Sequence, residues 1–554
     1  MTKNILKIMF ICTLLAASAC TISDSSPNTE RGGAGGAATE GNGSGQAADP
    51  FHPLGKMNPP IEVTAVRQAN PWKFEDGETI EKNGWTEIYE QELGIKLKYL
   101  WISDQYAQKM NVTMVSGKLP DILPVDGTQL KQLAEADMLE DLSEALEKYG
   151  SPELKEILSK DKGVALDSAT FNNKLLALPF LGSYTDTAPL LWIRTDWLAK
   201  LGLPEPQSFA DVLDIAYAFV ERDPDGNNMK DTFGLAVYRD LWSDLFSLDG
   251  FFNSYHAYPK SWIQDANGMP VYGSIQPEVR QALTKLNELY RSGILDEDFG
   301  IKDVYKVGEA VNNGKIGMTF STHWLPNYLL SGKERDSKME WKPFPLLSID
   351  DQIAKPRANY SIRIYYAVRK GMEHPEAVVK MMNAQIHDWG EKYPVTRIGA
   401  NNGIDKWTYA LILNNNPTQN LDAHHHIMKA LTENDETALS KDPGELRVYN
   451  SIRKYLANGD LAGWGAYNIF GPAGSQSVYA KYKEDNTFMM SEFIGSPTAT
   501  MVAKGVILDR LELETFTKII VGESPIEAFD VFVDNWKKLG GDQMTKEVAE
   551  AIRE

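Results

Sequence analysis

Residues 116–136 read SGKLPDILPVDGTQLKQLAEA, and the order of residue types in them decides the fold class. Gly117 and Pro120 punctuate the chain before the apolar run Asp121 to Val125, which is short enough for a buried strand and too short for a helix. Asp126-Gly127-Thr128 follow, and then apolar residues recur at helical spacing from Gln129 to Ala136. A strand that passes through one capping residue into a helix is the repeating unit of α/β proteins. The capping side chain and the free backbone N–H groups of the new helix then face the C-terminal edge of the sheet, where ligands of open α/β sheets bind.

The same alternation extends in both directions. Strands are predicted at Ile61 to Arg67 and Ile95 to Leu100, with helices over Trp85 to Leu93 and Gln105 to Ser116. Downstream, Pro189 to Gly202 (PLLWIRTDWLAKLG) joins an apolar strand to a helix stopped by Gly202 and the prolines 204 and 206. Helices follow over Gln207 to Arg222 and Val304 to Asn312, and the latter feeds a strand from Lys315 to Phe320 that ends in Ser321-Thr322-His323-Trp324. Tyr360 to Val368 reads as a strand, a helix begins near His374-Pro375-Glu376, and Leu513 to Ala551 is helical with breaks at Gly522 and Gly540-Gly541.

The ends of the chain speak about location. Lys3 and Lys7 precede an apolar run from Ile8 to Ala17 of about ten residues, well under the roughly 20 of a membrane-spanning helix, as in a secretory signal over residues 1–19. The signal closes on Ala17-Ser18-Ala19-Cys20, which resembles the lipobox of bacterial lipoproteins with Ala17 in place of the usual Leu. The other cysteine, Cys12, lies in the removed segment, so lipidation of Cys20 avoids an unpaired thiol outside the cell; the alternative is simple cleavage that leaves that thiol free. Residues 20–60 are rich in Gly, Ser, Thr, Asn and Pro, with seven glycines from Gly32 to Gly45, and read as a tether reaching on the order of 35 Å. The formal net charge of −20 disfavours nucleic acid, whose binding needs a basic surface.

Six segments taken together resemble the family 1 extracellular solute-binding proteins of ABC importers, in particular the large lipoprotein branch serving sugars and oligosaccharides. They are 116–123 (SGKLPDIL), 190–204 (LLWIRTDWLAKLGLP), 223–235 (DPDGNNMKDTFGL), 314–324 (GKIGMTFSTHW), 366–383 (YAVRKGMEHPEAVVKMMN) and 516–548, and they occur in the family's order. The resemblance implies an α/β, two-lobed periplasmic-binding-protein-like fold of class II type, with a cleft between lobes joined by hinge strands. It implies chain crossings at Pro189 to Arg194, Trp341 to Pro345 and Val368 to Gly371. One lobe is then 61–188 and 344–369, and the other 189–343 and 370–554. It also implies a monomer that delivers an oligosaccharide to ABC transporter permease subunits from a lipid anchor on the outer face of the membrane; a sensory binding protein presenting ligand to a membrane receptor would share the fold.

A sugar offers apolar C–H faces and a rim of hydroxyls, so its site needs stacked aromatic rings beside polar groups. Trp324 stands where the family presents an aromatic residue to the cleft, with His323 beside it. Trp464 and Tyr467 lie in a glycine-flanked segment that suits an exposed loop. Asn70 and Trp72 follow the first strand, and Asp126 follows the third. Tyr184, Trp242 and Arg363 complete the candidates, Arg363 because a guanidinium suits a carboxylated sugar, although a structural ion pair would serve it equally.

Asp223, Asp225, Asn227 and Asp231 fall at alternate positions with the Met229 carbonyl between them, an oxygen set that suits a structural calcium ion as in an EF-hand loop. Gly234 replaces the bidentate Glu of such loops, Gly226 is displaced from the usual glycine position, and an Asp-Gly turn capped by its own side chains is the alternative. The adjacent His424, His425 and His426 point in different directions on most backbones and read as a solvated loop. No GxSxG, GxxxxGK[ST] or HExxH pattern is present, so no nucleophilic, phosphate-binding or zinc-enzyme signature argues for catalysis. A carboxylate pair for glycoside hydrolysis is always available among 76 acidic residues, which leaves a surface glycosidase as the enzymatic alternative.

Overall fold

The computed structural model describes residues 51–552 except 162, 361, 402–403, 438 and 440–442. The signal, Cys20 and the residues of the tether before 51 lie outside the described residues. Two sheets carry the architecture, built from β1 (Ile61–Gln68), β2 (Ile95–Ser103), β3 (Ile122–Val125), β4 (Ala177–Leu181), β5 (Leu190–Arg194), β6 (Met318–Ser321), β7 (Trp341–Phe344) and β8 (Ile362–Val368). In the first sheet the order is β2-β1-β3-β8-β4, with β1, β2 and β3 parallel and β8 antiparallel to both β3 and β4. The second sheet is antiparallel in the order β6-β5-β7.

Each sheet organises its own core. Val63, Ala65, Ile122 and Tyr366 pack with the helices Gly84–Gln91, Gly127–Glu135 and Glu376–Ile386 in the first lobe. β5 is buried along its whole length because both faces of its sheet are covered. Side chains alternate across a strand. Leu191 and Ile193 therefore join a core with Phe219, Phe320, Phe516 and Trp536, while Leu190 and Trp192 join Trp341, Trp464, Tyr479 and Tyr482 on the opposite face. A helical cluster around Ile427, Tyr449 and Phe470 completes the second lobe. Among the described residues no helix is long and apolar enough to cross a membrane.

The α/β, two-lobed architecture expected from sequence is present, but the division of the chain differs from expectation. Met372, the helix Glu376–Ile386 and residues 409–412 pack in the first core, whereas Leu346 and Ala354 pack in the second. β7 stays within the second sheet, and Val368–Gly371 stays within the first lobe, where Arg369 pairs with Asp121 at 2.8 Å. The chain instead crosses between Leu181 and Leu190, between Ala358 and Ile362, and between Leu413 and Gln419. Residues 52–57 also belong to the first lobe and not to the tether: Lys380 donates to the carbonyls of His52 and Gly55, and the Met57 N–H donates to Leu93.

Candidate functional site

Because β1, β2 and β3 are parallel, their C-terminal ends share one edge of the first sheet. The residues just beyond those ends, Asn70, Gln105, Tyr106 and Asp126, line a pocket of about 670 Å³, within the range of small-ligand sites. Asp126 caps the helix Gly127–Glu135: its carboxylate accepts the Gln129 N–H at 2.8 Å while the Gln129 side chain accepts the Asp126 N–H at 3.3 Å. This reciprocal cap fixes the exposed Asp126 among the residues that line the pocket. At the back, the phenols of Tyr106 and Tyr366 are pushed well above their usual range by burial, so both are neutral hydroxyls at physiological pH.

Arg67, which sequence reasoning passed over, is buried at the end of β1. It donates to the Tyr99 hydroxyl at 3.1 Å and to the carbonyls of Tyr409 (2.8 Å) and Thr408. The guanidinium also lies 5.0 Å from the ring centre of Trp72, a cation–π contact. Arg67 therefore positions Trp72 and the 408–409 segment. Trp72 itself borders an adjoining hollow of about 280 Å³ with Lys73 and Tyr409.

In the second lobe the pairing of Ser321 with Leu190 puts the C-terminal end of β6 beside the first chain crossing. Trp324 follows that end and remains 38% exposed. His323 is fully buried, its ring 4.3 Å from that of Trp324, and neither ring nitrogen finds a hydrogen-bond partner. Asp186 is 3.8 Å away, and burial lowers the imidazole pKa despite it, so His323 is a neutral ring packed beside Trp324 with no free surface for ligand.

Other candidates are placed in packing. Trp464 is fully buried at the start of the helix Trp464–Phe470, its indole donating to Glu340 at 3.2 Å. Its flanking glycines mark close approach instead of an exposed loop: a Cβ on Gly463 would stand 2.1 Å from the Ser451 carbonyl oxygen. Tyr467 packs on Tyr455, Trp242 on Phe252, and Tyr184 on Tyr360 and Phe488. Arg363 lies on β8, and its side chain is outside the described residues. The three histidines sit on the helix Gln419–Glu433, with His424 buried against the Phe470 carbonyl and His426 bonded to Glu445.

The acidic loop is closed by the chain's own donors. Asp223 accepts the N–H groups of Gly226, Asn227 and Asn228 at 2.9–3.1 Å. The Asn227 amide donates to Asp225 (2.8 Å) and Asp231 (3.0 Å), and the Lys315 ammonium stands between the same two carboxylates at 3.0 and 2.5 Å. That ammonium holds the Asp231 carboxyl below its usual range. The Met229 side chain is exposed. Among the described residues no group of three or more His, Cys, Asp or Glu side chains is arranged to hold a metal ion. The oxygen set thus fits a hard cation by residue type, while Lys315 fills the place between two of its carboxylates.

Residues 72–385 match the family described as bacterial extracellular solute-binding protein. Lipoprotein LipO of Bacillus subtilis (strain 168) is 24% identical over 476 residues, 83% of this chain and 86% of its own. The polygalacturonan/rhamnogalacturonan-binding protein YtcQ of the same organism is 21% identical over 479 residues, with the same shares of 83% and 86%. An HMO binding ABC-transporter associated solute binding protein from Bifidobacterium longum infantis superposes with a TM-score of 0.60 at 17% identity, over 89% of this chain and 98% of that one. That likeness shows a shared fold.

Proposed function

The chain belongs to the bacterial extracellular solute-binding protein family, and from that premise we propose that it captures an oligosaccharide between its lobes, with Asn70, Asp126 and Trp324 among the contacts. The protein binds solute outside the cytoplasm for an ABC importer and is not an enzyme. The observation that carries the choice of ligand is the composition of one surface in each lobe. One is a pocket of about 670 Å³ in which Asn70, Gln105 and Asp126 stand beside Val125, Ile364 and Leu413, and the other an exposed indole packed against the buried His323 ring, which suit the hydroxyl rim and the C–H face of a sugar.

The test is titration calorimetry of the protein lacking residues 1–20 against neutral and acidic oligosaccharides, with chromatography of the sugar afterwards. Saturable binding of one class without shorter products is expected, and Trp324→Ala should weaken it about 10- to 100-fold, about 1.4–2.7 kcal/mol. Equal affinity in the variant would remove Trp324 from the site. Silence across the whole panel would overturn the choice of ligand class. For the anchor, Cys20 is the proposed acylated residue, and Cys20→Ser is expected to move the protein from the membrane to the soluble fraction on cell fractionation.

A structural calcium ion in the loop is proposed to compete with the Lys315 ammonium for Asp225 and Asp231. Lys315→Met leaves those carboxylates without their counter-charge. Its melting temperature is expected to fall in chelator and to rise with calcium more than that of the wild type, by up to about 2.7 kcal/mol of stability at a hundredfold excess over Kd. Identical calcium responses in the two proteins would count against competition.

A further inference from the structure

Trp324 opens onto a groove of about 570 Å³ in the second lobe that nothing in the binding reading yet uses. One wall is the helix Val304–Asn312, which presents Tyr305, Gly308, Glu309 and Asn312 along a face about 12 Å long. The opposite wall runs through the short helices Leu325–Tyr328 and Leu330–Arg335, where Trp324, Tyr328, Ser331 and Arg335 recur at helical spacing. Ser243, Asp244 and Thr322 stand at the end nearest the chain crossing.

The groove is preformed. Asn312 joins its walls: its amide donates to the Gly308 and Tyr328 carbonyls (2.8 and 2.9 Å), and its oxygen accepts from Ser331 and from the Gly332 N–H (3.0 and 2.8 Å). Arg335 reinforces the joint by donating to the Asn312 carbonyl at 3.1 Å. The rims are aromatic and wet, with Tyr305 84% exposed and Tyr328 57% exposed. An exposed ring gains nothing for folding from such a position.

Gly308 carries the argument further. A glycine inside a helix costs about 0.5–1 kcal/mol relative to alanine. A Cβ here meets only the Phe246 ring at 3.5 Å, an ordinary contact, so packing does not require the glycine. A side chain at this position would instead occupy the floor of the groove. The charges along it, Asp244 and Glu309 against an Arg335 already committed to Asn312 and Asn313, are unfavourable to a polyanion.

Resting on the carbohydrate reading, we infer that this groove continues the binding site out of the cleft and takes the further units of a linear, neutral oligosaccharide, with Tyr305 and Tyr328 as stacking surfaces and Gly308 keeping the floor open. Affinity then grows with chain length, and Gly308 determines how much.

The test is calorimetry with cello-, xylo-, malto- and fructo-oligosaccharides from disaccharide to octasaccharide, and with oligogalacturonides as the charged series. In the neutral series that binds, the octasaccharide is expected to exceed the disaccharide by at least about tenfold. Gly308→Leu should bring that ratio to about one, and Tyr305→Ala, an exposed position that leaves folding intact, should lower it several-fold. A wild-type ratio near one, or an unchanged ratio in both variants, overturns the groove and leaves the carbohydrate reading standing. Preference for oligogalacturonides overturns the neutral assignment, and binding of no saccharide overturns both readings.

Discussion

Arg357→Ala is expected to lower the unfolding free energy at pH 7 by about 3–5 kcal/mol. Arg357 and Asp249 are a buried pair, 12% and 7% exposed at the side chain, with 2.8 Å between Nη2 and Oδ1. The same guanidinium donates to the Pro259 carbonyl at 2.7 Å, and the Arg357 N–H donates to Asn253 at 2.8 Å. Burial raises the Asp249 pKa and the guanidinium opposes it. Truncation therefore strands a largely buried carboxylate without its counter-charge. Arg357 also belongs to the two-residue strand, paired with Met489–Met490, that directly precedes the second chain crossing.

Asp249→Asn/Arg357→Met separates the stranded charge from lost packing, because replacing both members of a buried pair costs far less than removing one. The single variant should recover part of its deficit as pH falls, since the raised Asp249 pKa lets the folded state take up a proton first. Urea unfolding of wild type, single and double variants measures all three. A single variant less than about 1 kcal/mol below wild type would mean that the pair is solvated in the folded protein.

The elements were legible in the sequence because their signals are local. Gly117 and Pro120 bracket a strand wherever they are met, and the strand expected from Asp121 to Val125 is found at Ile122–Val125 with Asp126 as the cap of the next helix. The helix stopped by Gly202 ends there because that residue adopts φ +67°. Membership of a lobe is not local. The apolar face of the helix Glu376–Ile386 looks the same in sequence whichever sheet it covers, so its place against the first sheet had no signal.

The candidate site divides in the same way. Strand ends in a parallel sheet share an edge by topology, which made Asn70 and Asp126 legible, and Gln105 and Tyr106 after β2 answer to the same rule. Arg67 was hidden because its partners, Tyr99, Thr408 and Tyr409, include two that lie more than 300 residues away. Lys315 was hidden from the acidic loop for the same reason, standing 84 residues beyond Asp231 in sequence and at hydrogen-bond distance in space. Trp464 failed differently: glycine marks both exposed turns and tight helix contacts, and only the surrounding atoms distinguish them.

Glu512→Gln is expected to stabilise the protein at pH 8 by about 2–3 kcal/mol and to change little at pH 5. Glu512 is 1% exposed on the helix Ala499–Ile520, and one of its carboxylate oxygens has no hydrogen-bond partner. The Tyr272 hydroxyl donates to the other at 3.4 Å, while the Lys260 ammonium is 3.9 Å away and bonded to Asp509 at 2.5 Å. Burial raises the pKa from 4.5 to about 7, with Lys260 opposing the shift and Asp509 adding to it. Below pH 4.5 the group is protonated in both states and its contribution to folding is fully present. Between 4.5 and 7 the unfolded chain releases the proton that the folded chain keeps, so stability falls as pH rises and the contribution is lost above about 7. Glutamine keeps the acceptor for Tyr272 without the charge, so the variant should hold at pH 8 the stability that wild type has only near pH 5. Denaturant titrations at both pH values decide it, and a variant that parallels wild type across the range would show that Lys260 neutralises Glu512 in the folded state.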